Sequence, residues 1–260
     1  MTLKAYAKVN LTLKVLGRRA DGYHDLSSLV APISLCDEVE LVERNDSNVT
    51  TNLPFKDDLC VKAANVLKER FPSVSSRGVD IKVVKHIPEG GGLGGGSADA
   101  AAVLRGLNEL WNLGKSAEEL STIGSLVGSD VPALVLAQHY KRTVLMEGRG
   151  EKVELYPRPV RLKTKKIVLV NPKVKSVTRD VFANFKPSRK LKCNCLEESA
   201  MQLYPKIAEA FSFLESKNVS GIRMSGSGST VFAFTEENIS QKRCEYDIIH
   251  ATVLIDCPVV

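Results

Sequence analysis

Aromatic side chains are scarce in this 260-residue chain: 6% in all, with a single tryptophan. That disfavours a surface that stacks a run of exposed bases. Long apolar runs are missing too. None reaches the ~18 to 20 residues that a membrane-spanning helix needs. Met1-Thr2-Leu3-Lys4-Ala5-Tyr6 has no apolar core of a signal peptide and leads straight into an alternating pattern, so a cytoplasmic protein is expected. There are six cysteines, namely Cys36, Cys60, Cys193, Cys195, Cys244 and Cys257, but no CxxC pair. Cys193 and Cys195 form a CxC without nearby histidines. Neither a zinc site nor a disulfide framework is expected, and the thiols read as reduced, buried or incidental. The net charge of +6 is modest. Its densest stretch, Arg161 to Lys166 beside Lys173 and Lys175, reads as solvated surface. Such a balance also suits phosphorylated small molecules.

What is present is periodicity. Leu3, Ala5, Ala7, Val9, Leu11, Leu13 and Val15 alternate with Lys4, Tyr6, Lys8, Asn10, Thr12 and Lys14. This period of two predicts a strand with one buried face over 3–16. Gly17 to Gly22 breaks it as a turn. Ser27 to Leu35, Glu38 to Glu43 and Val79 to Val84 read as further strands. Asp57-Asp58 opens a helix carrying Leu59, Ala63, Val66 and Leu67. A second helix runs through Ala100, Val103, Leu104, Leu107, Leu110 and Trp111. A third starts on the capping box Ser116/Glu119, and a fourth at Ser129-Asp130-Val131-Pro132. Glu147 to Glu151 is a turn, and Tyr156-Pro157-Arg158-Pro159 is a linker. Ile167 to Val170 is a strand, Pro205 a first-turn proline, and Ile222 to Met224 and Val231 to Phe234 two short strands. Strands and helices mix without strict βαβ repetition. The fold class is α+β in two lobes, 1–155 and 156–260.

The loop Pro88-Glu89-Gly90-Gly91-Gly92-Leu93-Gly94-Gly95-Gly96-Ser97 stands directly before a strongly periodic helix. Glycines let a ligand approach the backbone, free N–H groups form an anion-binding concavity, and the helix adds its positive end. The combination suits a polyphosphate. Ser97 can offer a hydroxyl to phosphate or Mg2+. Asp99, in the first turn, is either a magnesium partner or a dipole partner. The loop lacks the Gly-Lys-Ser/Thr ending of a Walker A sequence and the setting of a dinucleotide fingerprint. Lys8 and Asn10 leave one side of the first strand; spacing alone leaves open a solvated edge. Asp130 stands where an N-cap is common.

Three motifs in order then carry a resemblance: Lys8-Val9-Asn10-Leu11, Pro88 to Ala101, and Met224-Ser225-Gly226-Ser227-Gly228-Ser229-Thr230. Together they resemble the superfamily of galactokinase, homoserine kinase, mevalonate kinase and phosphomevalonate kinase (GHMP). Gly17 to His24, Gly128 to Pro132 and Glu147 to Glu151 bring the chain closest to the branch whose alcohol substrate is a cytidine diphosphate-linked polyol. The resemblance implies a two-lobed fold, with an N-terminal lobe like the second domain of ribosomal protein S5 and a ferredoxin-like C-terminal lobe. It implies ATP and Mg2+ as cofactors, and small-molecule substrates rather than nucleic acid or membrane as partners. Pro88 to Ala98 would wrap the ATP phosphates. Asp130 would act as general base, with Lys8 steadying developing charge. Asn10, Tyr23, His24, Thr178, Phe182 and Gly226 would contact the substrate, Tyr23 stacking on the base, His24 bonding its edge and Phe182 closing its other face. Ala98 stands where the superfamily often has a second serine, and Ala133 where an aromatic often follows. An RNA-binding S5-like protein is the reading from another class, and it leaves the phosphate loop unexplained.

Overall fold

A computed structural model describes residues 1–255 apart from 159, 161, 163, 188–191 and 240–244. Pro159, Arg161, Lys163, Cys244 and Cys257 of the sequence reading lie outside the described residues. Strands β1 (Thr2–Arg18) and β2 (His24–Arg44) form a long antiparallel pair. Strands β3 (Val49–Thr51), β4 (Gly78–Val84), β5 (Val144–Gly148) and β6 (Lys152–Leu155) complete a six-stranded sheet in the order β3-β4-β2-β5-β6, with β1 on β2.

Two expectations change here. The sequence divides β2 at Cys36-Asp37, yet the strand runs unbroken. Asp37 is fully buried within it. Its carboxylate accepts the N–H groups of His86 and Ile87 and pairs with Lys85, so the buried charge is satisfied without breaking the strand. The pattern of β1 predicted one buried face, but its centre is buried on both: Lys8 is 3% exposed and Asn10 1%. Register irregularities lie between Tyr6 and Lys8 and between Asn10 and Thr12. Such irregularities re-aim side chains next to sites.

Helices α1 (Leu59–Arg70), α2 (Gly95–Leu110), α3 (Ala117–Gly124) and α4 (Val131–Tyr140) accompany this sheet. Asp58 caps α1 by accepting the Cys60 N–H at 2.8 Å, and Ser116/Glu119 form the capping box of α3. Ala98, Ala100, Ala101 and Ala102 are fully buried on α2. Small side chains there let the helix lie close to its neighbours, and Gly106 leaves room for Leu41 and Leu3.

The second lobe holds a four-stranded antiparallel sheet of β7 (Lys166–Asn171), β8 (Ser220–Met224), β9 (Val231–Phe234) and β10 (Asp247–Thr252), in the order β10-β7-β9-β8. That order is the ferredoxin-like one. Helices α5 (Thr178–Ala183), α6 (Glu197–Leu203) and α7 (Pro205–Glu215) lie between β7 and β8. The lobes share apolar contacts: Ile167, Leu169, Phe232 and Phe234 belong to the same buried cluster as Ala5, Val9 and Leu104. No described helix is long and apolar enough to cross a membrane.

Candidate active site

Two glycine loops meet at the mouth of a cleft of about 1420 Å³. The first runs from Pro88 to Gly94 into α2; the second joins β8 to β9. Gly91 O accepts the Thr230 N–H at 3.0 Å, and the Ser225 hydroxyl donates to Gly92 O at 2.9 Å. Gly92 has φ +74°, and a Cβ there would collide with the Ser225 carbonyl oxygen and lie 2.8 Å from Gly228 O. Gly94, at φ +72°, leaves room for the Lys8 stem, whose Cε would lie 3.1 Å from a Cβ. Some of these glycines therefore serve the contact between loops and not a ligand.

Helix α2 begins at Gly95, with Gly94 at the N-cap. Ser97 lies in its first turn and lines the cleft, as does every residue from Pro88 to Gly96. Ala98 does not: it is buried, and its N–H already donates to Gly94 O at 2.7 Å.

Lys8 is the charged centre of the site. Its N–H donates to Leu93 O at 3.0 Å, tying β1 to the first loop. Its ammonium donates to Asn10 Oδ1 at 2.6 Å and stands 3.5 Å from Asp130 Oδ2. The Asn10 amide is oriented by a relay. Its Nδ2 donates to Ser28 Oγ at 2.7 Å, and that hydroxyl donates to Thr12 O at 2.6 Å. The amide oxygen is thereby left facing Lys8. Asp130 occupies the N-cap position of α4 but makes no side-chain capping bond. Its carboxylate is one-third exposed to the cleft and faces Lys8. The cap reading of Asp130 therefore fails on geometry, and so does the solvated-edge reading of Lys8 and Asn10.

Tyr23, His24, Phe182 and Thr178 also line the cleft. The hairpin that presents Tyr23 is fixed by Arg19 N–H to Tyr23 O at 2.8 Å and Tyr23 N–H to Asp21 Oδ1 at 3.1 Å. The residue is 61% exposed. The Arg149 guanidinium stands 5.2 Å from the centre of its ring, a cation–π arrangement that covers part of it. Phe182 stacks on His24, with centroids 5.3 Å apart and 26° between planes. The aromatic pairing is thus His24–Phe182, with Tyr23 held separately by Arg149. Thr178 Oγ1 and Ser227 Oγ share a hydrogen bond of 2.9 Å. Gly226 lines the cleft, and a Cβ there would come within 3.3 Å of Lys8 Nζ and 3.5 Å of Asn10 Oδ1.

A buried charge cluster sits at the first turn of α2. Lys85 Nζ pairs with Asp99 Oδ2 at 2.7 Å and also with Asp37. Burial pushes the Asp99 carboxyl up to about 7. Burial alone would lower the Lys85 ammonium, but Asp99 and Asp37 outweigh it and raise it. Asp99 is therefore a charge partner of Lys85 rather than a bare dipole partner. Its Oδ1 is buried and unpartnered, and both residues line the cleft. No signal in the sequence pairs Asp37 with a lysine 48 positions away. Among the described residues no cluster of three His, Cys, Asp or Glu could hold a metal. The free Ser97 hydroxyl and the orphan Asp99 oxygen fit a cation that brings most of its oxygen ligands with it.

A strand lysine beside a helix-start aspartate, facing a glycine loop without a Walker lysine, defines a small-molecule kinase cleft. Residues 58–138 match the GHMP kinases N terminal domain and 182–247 the GHMP kinases C terminal domain. The chain belongs to the GHMP kinase family. It is 38% identical to the 4-diphosphocytidyl-2-C-methyl-D-erythritol kinase of Exiguobacterium sibiricum, over 92% of this chain and 91% of the relative. It is 35% identical to the enzyme of that name from Brevibacillus brevis, over 94% and 90%. A crystal structure of 4-(cytidine 5'-diphospho)-2C-methyl-D-erythritol kinase superposes with a TM-score of 0.76 at 32% identity, covering 91% of this chain and 90% of the other.

Proposed function

We propose that this chain transfers the γ-phosphoryl group of ATP to the 2-hydroxyl of 4-diphosphocytidyl-2-C-methyl-D-erythritol, giving the 2-phosphate and ADP. Residues 1–155 form the ATP-binding lobe and 156–260 the C-terminal lobe. The observation that carries the reading is the Lys8–Asp130 pair, 3.5 Å apart in a cleft whose wall is the Pro88–Ser97 loop. Phosphoryl transfer needs positioning and charge neutralisation more than covalent chemistry by the protein. Asp130 has a free carboxylate oxygen to accept the proton of the attacking hydroxyl. Lys8, oriented by Asn10, offers a fixed positive charge where negative charge develops. The free N–H groups at the start of α2 hold the phosphates. Mg2+ arriving with ATP would be held by Ser97, with Asp99 Oδ1 nearby, and would neutralise charge on the phosphate oxygens. The exposed Tyr23 ring offers a stacking face for cytosine, and His24, Thr178 and Phe182 border it.

An ATP-consumption assay against the cytidine diphosphate polyol, mevalonate, homoserine and galactose tests the reading. Turnover of the first alone is expected. Turnover of another alcohol, with none of the first, would overturn the substrate assignment.

A further inference from the structure

The Cys193-Asn194-Cys195 segment makes its main polar contacts through the residue between the two thiols. Asn194 is fully buried. Its Nδ2 donates to Met224 O at 2.8 Å and to Gly226 O at 2.7 Å, and its Oδ1 accepts the Leu196 N–H at 3.0 Å. Both amide protons are thus spent on the entry to the second glycine loop. No other uncharged side chain of this size supplies two donors and an acceptor in one plane except an amide.

The flanking residues fix where this amide stands. Leu13 N–H donates to Cys193 O at 2.7 Å, and Cys195 N–H donates to Leu13 O at 3.0 Å. Val15 N–H reaches Cys195 Sγ at 3.2 Å. The segment therefore lies along β1, the strand that carries Lys8 and Asn10. Glu197 adds to the hold, accepting the Met224 N–H at 3.1 Å, and Arg223 donates to Leu11 O at 2.6 Å. At the held loop, a Cβ on Gly226 would lie 3.3 Å from Lys8 Nζ and 3.5 Å from Asn10 Oδ1.

We infer that Asn194 is a positioning residue for phosphoryl transfer: it clasps the second glycine loop to β1 and so sets the distance between Gly226 and the Lys8–Asn10 pair. It touches neither substrate and acts through the Met224 and Gly226 carbonyls. The inference rests on the kinase reading above. Removing the amide leaves two buried carbonyls without donors, which favours displacement of the loop. A displacement of about 1 Å at a reacting centre costs on the order of 100-fold in rate.

Kinetics of Asn194→Ala, with whichever alcohol of the panel the parent protein phosphorylates, test this. kcat is expected to fall about 100-fold, while KM for ATP stays within about threefold and thermal unfolding shows a folded protein at the assay temperature. Glu197→Ala, which removes the acceptor of the Met224 N–H, is the second variant and should lower kcat in the same sense. A folded Asn194→Ala whose kcat stays within about threefold of the parent overturns the inference. Failure of both variants to fold also overturns it, because the pair then serves stability alone. A parent that turns over another alcohol but not the cytidine substrate counts against the substrate assignment and leaves the clasp to be judged on that alcohol.

Discussion

Lys8 carries a charge at 3% exposure, which is tolerable only because Asn10 Oδ1 and Asp130 stand against it. Asp130 in turn is relieved of capping α4 and keeps its carboxylate for the cleft. Asp130→Asn keeps the shape and removes the carboxylate proposed as the base. kcat should fall by about 100- to 10,000-fold, with ATP affinity, read by titration with a non-hydrolysable analogue, little changed. Near-parent kcat would remove Asp130 as the base. Asp99 permits a second prediction, on pH. Burial raises its folded-state value to about 7, against about 3.9 in an unfolded chain. Between these values the folded state holds the proton and the unfolded state has lost it. Asp99 thus lowers stability as pH rises through that window. Asp99→Asn cannot ionise, so its unfolding free energy, read by urea titration, should fall less than the parent's between about pH 4 and pH 7, by a difference on the order of a few kcal/mol. Equal falls would show that Lys85 holds the carboxylate charged throughout. At this scale the sequence was informative where one motif carries one role. Lys8, Tyr23, His24 and Asp130 were singled out that way, and all four line the cleft. Asp37, Arg149 and Asn194 were not, because their partners are distant in sequence and only folding brings them together.

The Pro88–Ser97 loop is two devices in one element. Its Gly92 end packs against the second loop, whereas its Gly96 end opens to the cleft, where a Cβ would meet nothing nearer than Leu59 Cδ1 at 3.9 Å. The two glycines should therefore respond oppositely to alanine. Gly92→Ala meets both a positive φ and the Ser225 carbonyl, and should lose more than about 1 kcal/mol of stability along with ATP binding. Gly96→Ala, inside a helix, should keep or gain about 0.5 kcal/mol while raising KM for ATP by about tenfold or more, because the methyl occupies the space of a phosphate. Thermal unfolding and ATP kinetics on both variants decide it, and a Gly96→Ala enzyme with parent KM would mean the phosphates lie elsewhere. Glycine content alone pointed to a polyphosphate but could not assign individual glycines, since a ligand and a neighbouring backbone demand the same missing Cβ. The unbroken β2 was hidden for a similar reason: an aspartate interrupts the apolar alternation, and only the fold supplies the Lys85 ammonium and two N–H groups that satisfy it in mid-strand.

At the scale of the molecule, two sheets were legible from alternation and from the short strands around Ser225–Ser229, but the core that joins them was not. Periodicity shows that a face is apolar without showing what it packs against. Ile167, Leu169, Phe232 and Phe234 of the second sheet are buried in one cluster with Ala5, Val9 and Leu104 of the first lobe. The chain also returns: Leu254 N–H donates to Pro32 O at 2.8 Å, Thr252 N–H to Ser34 Oγ at 2.9 Å, and Val253 pairs with Ile33. Lobes joined only by a linker unfold separately, but lobes that share a core expose each other's apolar surface when either opens. The full chain should therefore unfold by heat or urea in one transition, seen at the same midpoint by far-ultraviolet circular dichroism and by the fluorescence of Trp111, which is buried in the N-terminal lobe. A segment of residues 1–155 alone should lack a cooperative transition at the parent midpoint, since Val9 and its neighbours lose the apolar cover supplied by β7 and β9. Two separated transitions in the full chain, or a cooperative 1–155 segment as stable as the parent, would make the lobes independent and restrict their coupling to the Asn194 clasp and the bound substrates.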